Sequence, residues 1–496
     1  MKLVLTGLLA AVTFMVLPFL GGISSEASAQ TQVRIIQADR LAGETTELGR
    51  VRKLLNNVIM ETDDLHIIAD SVYQYLDLDL VDAFGNIQIE MDNQIIWSDS
   101  LRYNTSTDVS TFNGRVVIQG ENAVMFSDEM IYNFFFEVAE FPGRLRLEDA
   151  DGILEADRGF YFSIPDSAAF YGNVQITDST QYAESDTLYA IRKAQFYELH
   201  GNVYIEDFEN KSRMRGNFTS SDSTGFRELR GDARLQRINE AQTDTTFLRS
   251  EWIELTDRDT TSIVDAFENV RIWSQRYSSL SDSARYDDLA EQFVLRGDAR
   301  LWREDLQLSS EIIEIQLRDD EIDRLLATPR AIAVTPDSIT GRFNQITGDS
   351  LWIYFEEGDL NLIEVHPDAE MIIHEKDEND QPDFAIQVAS AELFMYFAEG
   401  EIDSVKYYRN VDGRYIPETQ DPGSVRLGGF QYDPELRPER PEEWLIPSLP
   451  PVSNVPMFPL PRRYSEFLRN RSLEINGLEG TQNGAAADTT NSNQQR

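Results

Sequence analysis

A short pattern returns at a fixed interval along this chain, and an interval of this size restricts a chain to stacked, repeating units. Gly85-Asn86-Ile87-Gln88-Ile89 is followed by Gly114-Arg115-Val116-Val117-Ile118, Gly143-Arg144-Leu145-Arg146-Leu147, Gly172-Asn173-Val174-Gln175-Ile176 and Gly201-Asn202-Val203-Tyr204-Ile205, each step being 29 residues. Asn56-Asn57-Val58-Ile59-Met60 precedes them by one step, and later copies stand at Gly231-Asp232, Glu268-Asn269 and Gly297-Asp298 before the pattern decays at Pro329-Arg330 and Pro367-Asp368. A second pattern keeps the same beat: Asp70-Ser71-Val72-Tyr73, Asp99-Ser100-Leu101-Arg102-Tyr103 and Asp128-Glu129-Met130-Ile131-Tyr132, continued by Asp157 and Asp186 and resumed at Asp282 with Tyr286.

The physics of one unit is readable. Val203 and Ile205 alternate with Asn202 and Tyr204, the period of two that marks a strand with one buried face. Gly-Asn or Gly-Asp reads as turn chemistry before that strand, because Gly tolerates positive φ and Asn or Asp bonds the neighbouring backbone. The Asp-Ser pair reads as a second bend. No 3.6-residue apolar stripe with helix caps persists, so each unit predicts two to three strands. A single unit cannot cover its own apolar face; stacked neighbours must. The expected fold is therefore all-β, an elongated jelly-roll or solenoid of roughly twelve imperfect repeats. The in-phase residues Ile87, Ile89, Val116, Ile118, Leu145, Leu147, Val174, Ile176, Val203 and Ile205 are expected to line its interior.

Export is expected from the N-terminus. Met1-Lys2 is a short positive start, Leu3 to Leu20 is almost wholly apolar, and Ala27-Ser28-Ala29 is a small-x-small cleavage signal, giving a signal peptide over 1–29. An uncleaved anchor is the alternative reading of that apolar run. No other stretch is long and apolar enough to span a bilayer. The chain has no cysteine, which excludes structural disulfides, thiolate metal sites and a lipid-modified cysteine after the signal. A formal net charge of −42 repels nucleic acid, so phosphate-backbone binding is not expected, and membrane contact is expected only through partners. Its plain reading is solubility. Disorder does not follow, since 41% of residues are apolar and 10% aromatic.

The alternation of Gly-Asn-Val-x-Ile with Asp-x-apolar-x-Tyr resembles the OstA-like family, over roughly residues 50–410. That family includes a periplasmic lipopolysaccharide bridge protein and the N-terminal domain of an outer-membrane translocon. The resemblance implies a V-shaped, two-sheet jelly-roll whose groove shields acyl chains. It further implies lipopolysaccharide or a related glycolipid as cargo, carried between inner and outer membrane in the periplasm. From the residues alone an open apolar groove and a fully packed core, as in a structural or adhesive β-solenoid, stay equally open. Apolar walls suffice for the groove, since each buried CH₂ contributes about 0.8 kcal/mol.

Catalytic constellations are weak. His66, His200, His366 and His374 are scattered, with no His-Glu-x-x-His, Gly-x-Ser-x-Gly, phosphate loop or dinucleotide fingerprint. Asp377-Glu378-Asn379-Asp380 reads as a solvated turn, and Asp77, Asp79 and Asp82 as the outward half of a strand. No enzyme activity, cofactor or metal is expected; the enzymatic rival is a polysaccharide-active β-helix, which would need a distinguishable carboxylate cluster. The organisation expected is a lead over 30–49, a repeat domain over 50–412, a Pro-rich charged segment over 413–479 and a disordered tail over 480–496. Pro438 to Pro461 forbid regular strands; Trp444 and Leu445 are either part of a loose tail or an anchor for it. The first edge strand, expected near Asn57–Met60, is expected to dock onto a similar β-array, and the tail to cover the far edge beyond Val405–Tyr408.

An array of twelve two-strand units is on the order of 100 Å long, whereas a compact chain of the same size has a radius of gyration near ~21 Å. Small-angle scattering is expected to return the larger dimension; a compact sphere would remove the array.

Overall fold

The computed structural model describes residues 34–441 and 458–471, apart from short loops at 62–65, 92–93, 151, 164–165, 240–243, 259–260, 319–320, 380 and 399–400. The leader, Trp444, Leu445 and the tail from 480 lie outside the described residues. The described chain forms 32 strands and one α-helix, at 462–471, so the fold is all-β. It divides into two compact units, the first taking residues 4–197 and 450–496 and the second chiefly 198–449.

In the first unit each 29-residue repeat supplies two long antiparallel strands, such as Leu80–Met91 and Gln94–Asn104. Gly-Asn does not precede a strand, as its turn chemistry suggested; it lies inside one. Phe84 pairs with Ser100 and Ile87 with Ser98, so Gly85-Asn86 oppose the single residue Asp99 in a bulge. Both bulge residues have positive φ, 76° and 46°, and the same double left-handed step recurs at Gly172-Asn173 (77° and 46°). The Asp of the second pattern stands against it. Asn173 Nδ2 donates to Asp157 Oδ2 at 2.7 Å, and Asn86 does the same to Asp70 at 2.8 Å. On the Asp-bearing strand a buried serine donates to the carbonyl two residues on: Ser127 to Glu129 at 3.0 Å and Ser185 to Thr187 at 3.1 Å. The two sequence patterns are the two sides of one corner.

The corner divides every strand into two halves that pair separately, and so divides the sheet into two walls. Halves such as Leu80–Phe84 and Ser100–Asn104 form a tyrosine wall; Ile87–Met91 and Gln94–Ser98 form an isoleucine wall. The walls face one another. A side chain at Gly159, on the tyrosine wall, would come within 2.9 Å of Leu145 Cδ2 on the other. At Phe141-Pro142-Gly143 the corner breaks, because Pro142 lacks the N–H that a continuous strand needs, and the strand is split into Val138–Phe141 and Leu145–Asp149.

The second unit repeats the plan and then loosens it. Phe226–Ile238, Thr245–Arg258, Thr261–Trp273, Ser278–Asp287, Gln292–Arg303 and Leu306–Arg318 are long bent strands. Beyond them the walls are built from separate short strands. Glu321–Thr328, Ser350–Glu356, Asp359–His366, Glu392–Ala398 and Glu401–Tyr408 pair in one wall. Ala331–Pro336, Phe343–Gly348, Ala369–Lys376, Pro382–Ser390 and Asp412–Pro417 pair in the other. Cis Thr328-Pro329 and His366-Pro367 stand at the corners where Gly has been lost. Tyr407 Oη reaches Met371 Sδ, on the facing wall, at 3.6 Å.

Two expectations about the edges change. Asn57–Met60 is not an edge, because Gly49–Glu61 is flanked by His66–Tyr75 on one side and by Arg34–Gln37 and Arg40–Thr46 on the other. The last strand, Asp412–Pro417, lies within the segment read as Pro-rich. Asp77 and Asp79 are turn residues, and Asp82 is a buried strand residue whose carboxylate Arg102 holds at 2.7 and 2.8 Å.

The corner geometry separates two glycines that look alike in sequence. At Gly172 an alanine would take φ +77° and bring its Cβ to 2.6 Å from Asp157 Oδ2, while at Gly143 nothing lies within 4 Å and φ is ordinary. Gly172→Ala is expected to cost at least ~1–2 kcal/mol and lower the melting temperature. Gly143→Ala is expected to leave it unchanged within about 0.5 kcal/mol; equal effects in thermal unfolding would disprove the corner's role.

Candidate functional site

The space between the walls is the candidate site, and its lining follows from the alternation set by the corners. Ile87, Val116, Leu145, Val174, Val203 and Ile205 are 0–1% exposed, and Ile89, Ile118, Leu147 and Ile176 at most 5%. In the first unit the eight from Ile87 to Ile176 lie on the inner face of the isoleucine wall, and in the second Val203 and Ile205 hold the same positions. The tyrosine wall answers with smaller or aromatic residues: Ala83, Phe112, Ala139, Phe141, Ala168, Phe170 and Leu199, all buried. The interior is closed. Its walls touch, and the apolar side chains are packed to near-complete burial.

The inner rows become polar toward the tips. Tyr103, Tyr132 and Tyr161 stand 29 residues apart on the tyrosine wall, one strand half away from the corner aspartates. Tyr103 Oη donates to Asp108 at 2.6 Å and Tyr161 Oη to Asp166 at 3.0 Å, tying each ring to its own hairpin turn. Burial is the first cause that raises all three phenols, reinforced at Tyr103 by the Asp108 carboxylate, so they remain neutral donors. Opposite them on the isoleucine wall, Gln94 and Gln181 are buried, and Gln181 Nε2 donates to Asp178 at 2.9 Å. In the second unit the mouth is bridged. Arg276 pairs with Glu321 at 2.9 Å, and the Arg303 guanidinium lies 4.0 Å from the Phe355 ring while donating to the Gly358 carbonyl.

The outer faces differ, which the alternation did not predict. Tyr204, Arg146 and Val117 occupy outward positions, yet they are only 3%, 4% and 1% exposed. In the first unit the segment 458–471 covers part of this face. Trp97, Val117 and Tyr464 form one buried cluster, with Tyr464 and Phe467 ring centroids 4.9 and 5.3 Å from Trp97 and Phe458 stacked 6.3 Å from Phe126. Pro461 immediately before the helix costs no hydrogen bond there. In the second unit the segment 418–441 lies on the same wall instead of capping the last strands. Buried Gln345 receives the Leu427 N–H at 2.9 Å and donates to the Val425 carbonyl at 3.2 Å; Gln307 treats Asp433 (2.8 Å) and Gln431 (3.1 Å) alike. Leu427 packs on Ile372 and Ala385, and His374 Nε2 lies 3.3 Å from the Pro422 carbonyl oxygen. Burial is the main cause that lowers the His374 pKa, which keeps the ring neutral at physiological pH. Sequence reasoning missed this cover; its signal was the uninterrupted apolar run Val116-Val117-Ile118 and Ile95-Ile96-Trp97, where alternation fails.

Among the described residues no such cover lies on the outer face of the tyrosine wall, where ion pairs such as Arg102–Asp82 and Arg285–Asp265 (2.9 Å) are found. Replacing both Gln307 and Gln345 by alanine leaves the 418–441 backbone groups without partners, at about 1–2 kcal/mol each. Trypsin is then expected to cleave faster at Arg426, with far-ultraviolet circular dichroism unchanged; unaltered cleavage would mean that the glutamines do not hold the segment.

The family profile described as OstA-like protein matches residues 30–186. No curated protein matches the sequence. Among solved structures the chain is similar to LptH of Pseudomonas aeruginosa, described as the LptA homologous periplasmic component of the conserved lipopolysaccharide transport device. The identity is 12% and the TM-score 0.20, covering 22% of this chain and 80% of LptH. The profile match is confined to residues 30–186, about a third of the chain, and its described part runs from the Arg34–Gln37 edge strand into Gln181–Ile191; over that part the chain is similar to OstA-like proteins.

Proposed function

We propose that this chain is a periplasmic carrier in lipopolysaccharide transport between the inner and outer membranes, holding acyl chains between its two walls. One observation carries the reading: in the first unit eight in-phase apolar residues, from Ile87 to Ile176, line the inner face of one wall opposite a second wall of small and aromatic residues, and Val203 and Ile205 continue the pattern in the second unit. The similarity of residues 30–186 to OstA-like proteins supports it. In this reading the protein binds and passes its cargo without transforming it, and the leader over 1–29 directs export.

The closed interior sets the mechanism. An acyl chain enters only if the walls part, and the tyrosine wall, on which no described segment lies, is the one that moves. Parting trades wall-to-wall apolar contact for wall-to-acyl contact, so the apolar area removed from water is conserved and the exchange is close to neutral. The bridges across the mouth are exposed, as at Arg276–Glu321, and such pairs contribute about 0–1 kcal/mol. Partners are similar β-arrays docked by strand addition. The edge strands Arg34–Gln37 and Arg40–Thr46 expose Ile35, Ile36 and Leu41 at 45%, 54% and 63%, and at the other end Asp412–Pro417 exposes Tyr415 at 61%.

The complete burial of the inner rows also fits a structural β-array with no ligand. Photo-crosslinking residues at Ile176 and Ile205 separate the two readings. Glycolipid adducts at both sites in cells, and none at outward Gln175, are expected for a carrier. Adducts at Gln175 alone would reverse the faces, and no adducts at any inner site would favour the packed array.

A further inference from the structure

Among the described residues, one charged side chain of the inner rows is both buried and unpartnered. Arg227 stands on the tyrosine wall two residues before Leu229, on the same face. It pairs across the sheet with Ser221 on one side and Leu255 on the other, next to Thr219, Leu229 and Ile253, which are each 0% exposed. Arg227 itself is 3% exposed, and its Nε and Nη1 make no hydrogen bond. The equivalent position in other repeats is uncharged: Val81, Ser110, Ala139, Ala168, Val264 and Phe293.

An unpaired guanidinium in an apolar interior is costly, because its charge has left water without gaining a counter-charge. A long arginine ordinarily avoids this by extending its head to the surface. Arg227 lies near the mouth, two residues after Gly225 of the hairpin turn, and is still only 3% exposed. An anion joining it would supply both the missing acceptors and the counter-charge. Building on the carrier reading above, we propose that Arg227 is an oxyanion site for the head of an amphiphile, a phosphate or carboxylate whose alkyl chains lie among Leu229, Ile253 and Leu255. A planar guanidinium is suited to this, since it donates two parallel hydrogen bonds to one oxyanion. The empty site is destabilised and the loaded one satisfied, so the arginine favours the loaded interior.

The test uses the full mature chain and three probes in titration calorimetry: dodecyl phosphate and dodecyl maltoside below their micelle concentrations, and inorganic phosphate. Dodecyl phosphate is expected to bind about tenfold more tightly than the maltoside, and inorganic phosphate far more weakly than either. Arg227→Met is expected to abolish the tenfold preference while leaving maltoside affinity unchanged, and to hold or raise the melting temperature of the lipid-free protein. Arg227→Lys is expected to keep part of the preference. If the wild-type chain binds both dodecyl probes equally, the oxyanion site is overturned and the carrier reading stands, whatever the variants do. Inorganic phosphate binding as tightly as dodecyl phosphate would overturn the amphiphile and leave a simple anion site. Binding of neither dodecyl probe overturns both readings.

Discussion

Everything in this fold depends on the corner, in which two successive left-handed residues are held by an aspartate of the neighbouring strand. A strand of twelve residues would otherwise run straight, with one face buried and the other wet. Gly172-Asn173 bends it at φ values of 77° and 46°, and Asp157 fixes the bend by accepting from Asn173 Nδ2. The bulge adds two residues on one strand against one on its partner, so the alternation resumes beyond the bend with the same side inward: Ala83, Ile87 and Ile89 share the interior. A one-residue slip would turn the whole apolar row of one wall outward. The corner therefore defines an interior at all, and a repeated corner keeps that interior continuous from repeat to repeat within each unit.

The walls that meet at the corner are unequal. The isoleucine wall is buried on both faces where 458–471 and 418–441 lie against it, by aromatic stacking on Trp97 in the first unit and by two backbone-gripping glutamines in the second. The tyrosine wall presents ion pairs such as Arg285–Asp265 outward. Surface pairs of that kind add little rigidity. Packing on two faces does, because ordered contacts must be broken on both sides before the wall can bend. The two walls therefore differ in stiffness, the covered one being the more rigid.

Much of this was legible in the sequence, and the failures have physical reasons. The 29-residue beat gave the all-β array, and the in-phase residues from Ile87 to Ile205 are all on the buried inner face because alternation has a period of two whatever surrounds it. Gly-Asn was misplaced. A residue pair that tolerates positive φ serves a hairpin turn or a bulge equally well, and only the strand register shows that Phe84 and Ile87 belong to one strand. The first edge was misread for a similar reason: Arg34–Gln37 and Arg40–Thr46 are short and polar and lack the repeat's signature, although they pair fully with Gly49–Glu61. The cover on the isoleucine wall was missed because its only signal lay in the covered strands, at Ile95-Ile96-Trp97 and Val116-Val117-Ile118, while the proline-rich segments themselves carry no periodicity. They bind through side chains such as Gln307 and Gln345, which no local pattern singles out.

A closed interior is what an apolar carrier should have when empty. An open groove lined by Ile, Val, Leu and Phe would expose a large apolar surface to water, at ~25 cal/mol per Å², and would invite aggregation. Closing the walls removes that cost by self-contact, of the same kind and strength per unit area as contact with an acyl chain. Loading then changes the partner of each inner side chain while leaving its burial alone, and neither direction of transfer is strongly favoured. Apolar walls by themselves give capacity without preference among amphiphiles. Preference has to come from the few inner groups whose condition differs between the empty and loaded states. Tyr103 and Tyr161 are already bonded to their own turns and change little. Arg227, buried without a counter-charge, changes most. A single unsatisfied charge in an otherwise indifferent interior is therefore the place where discrimination between cargoes has to arise.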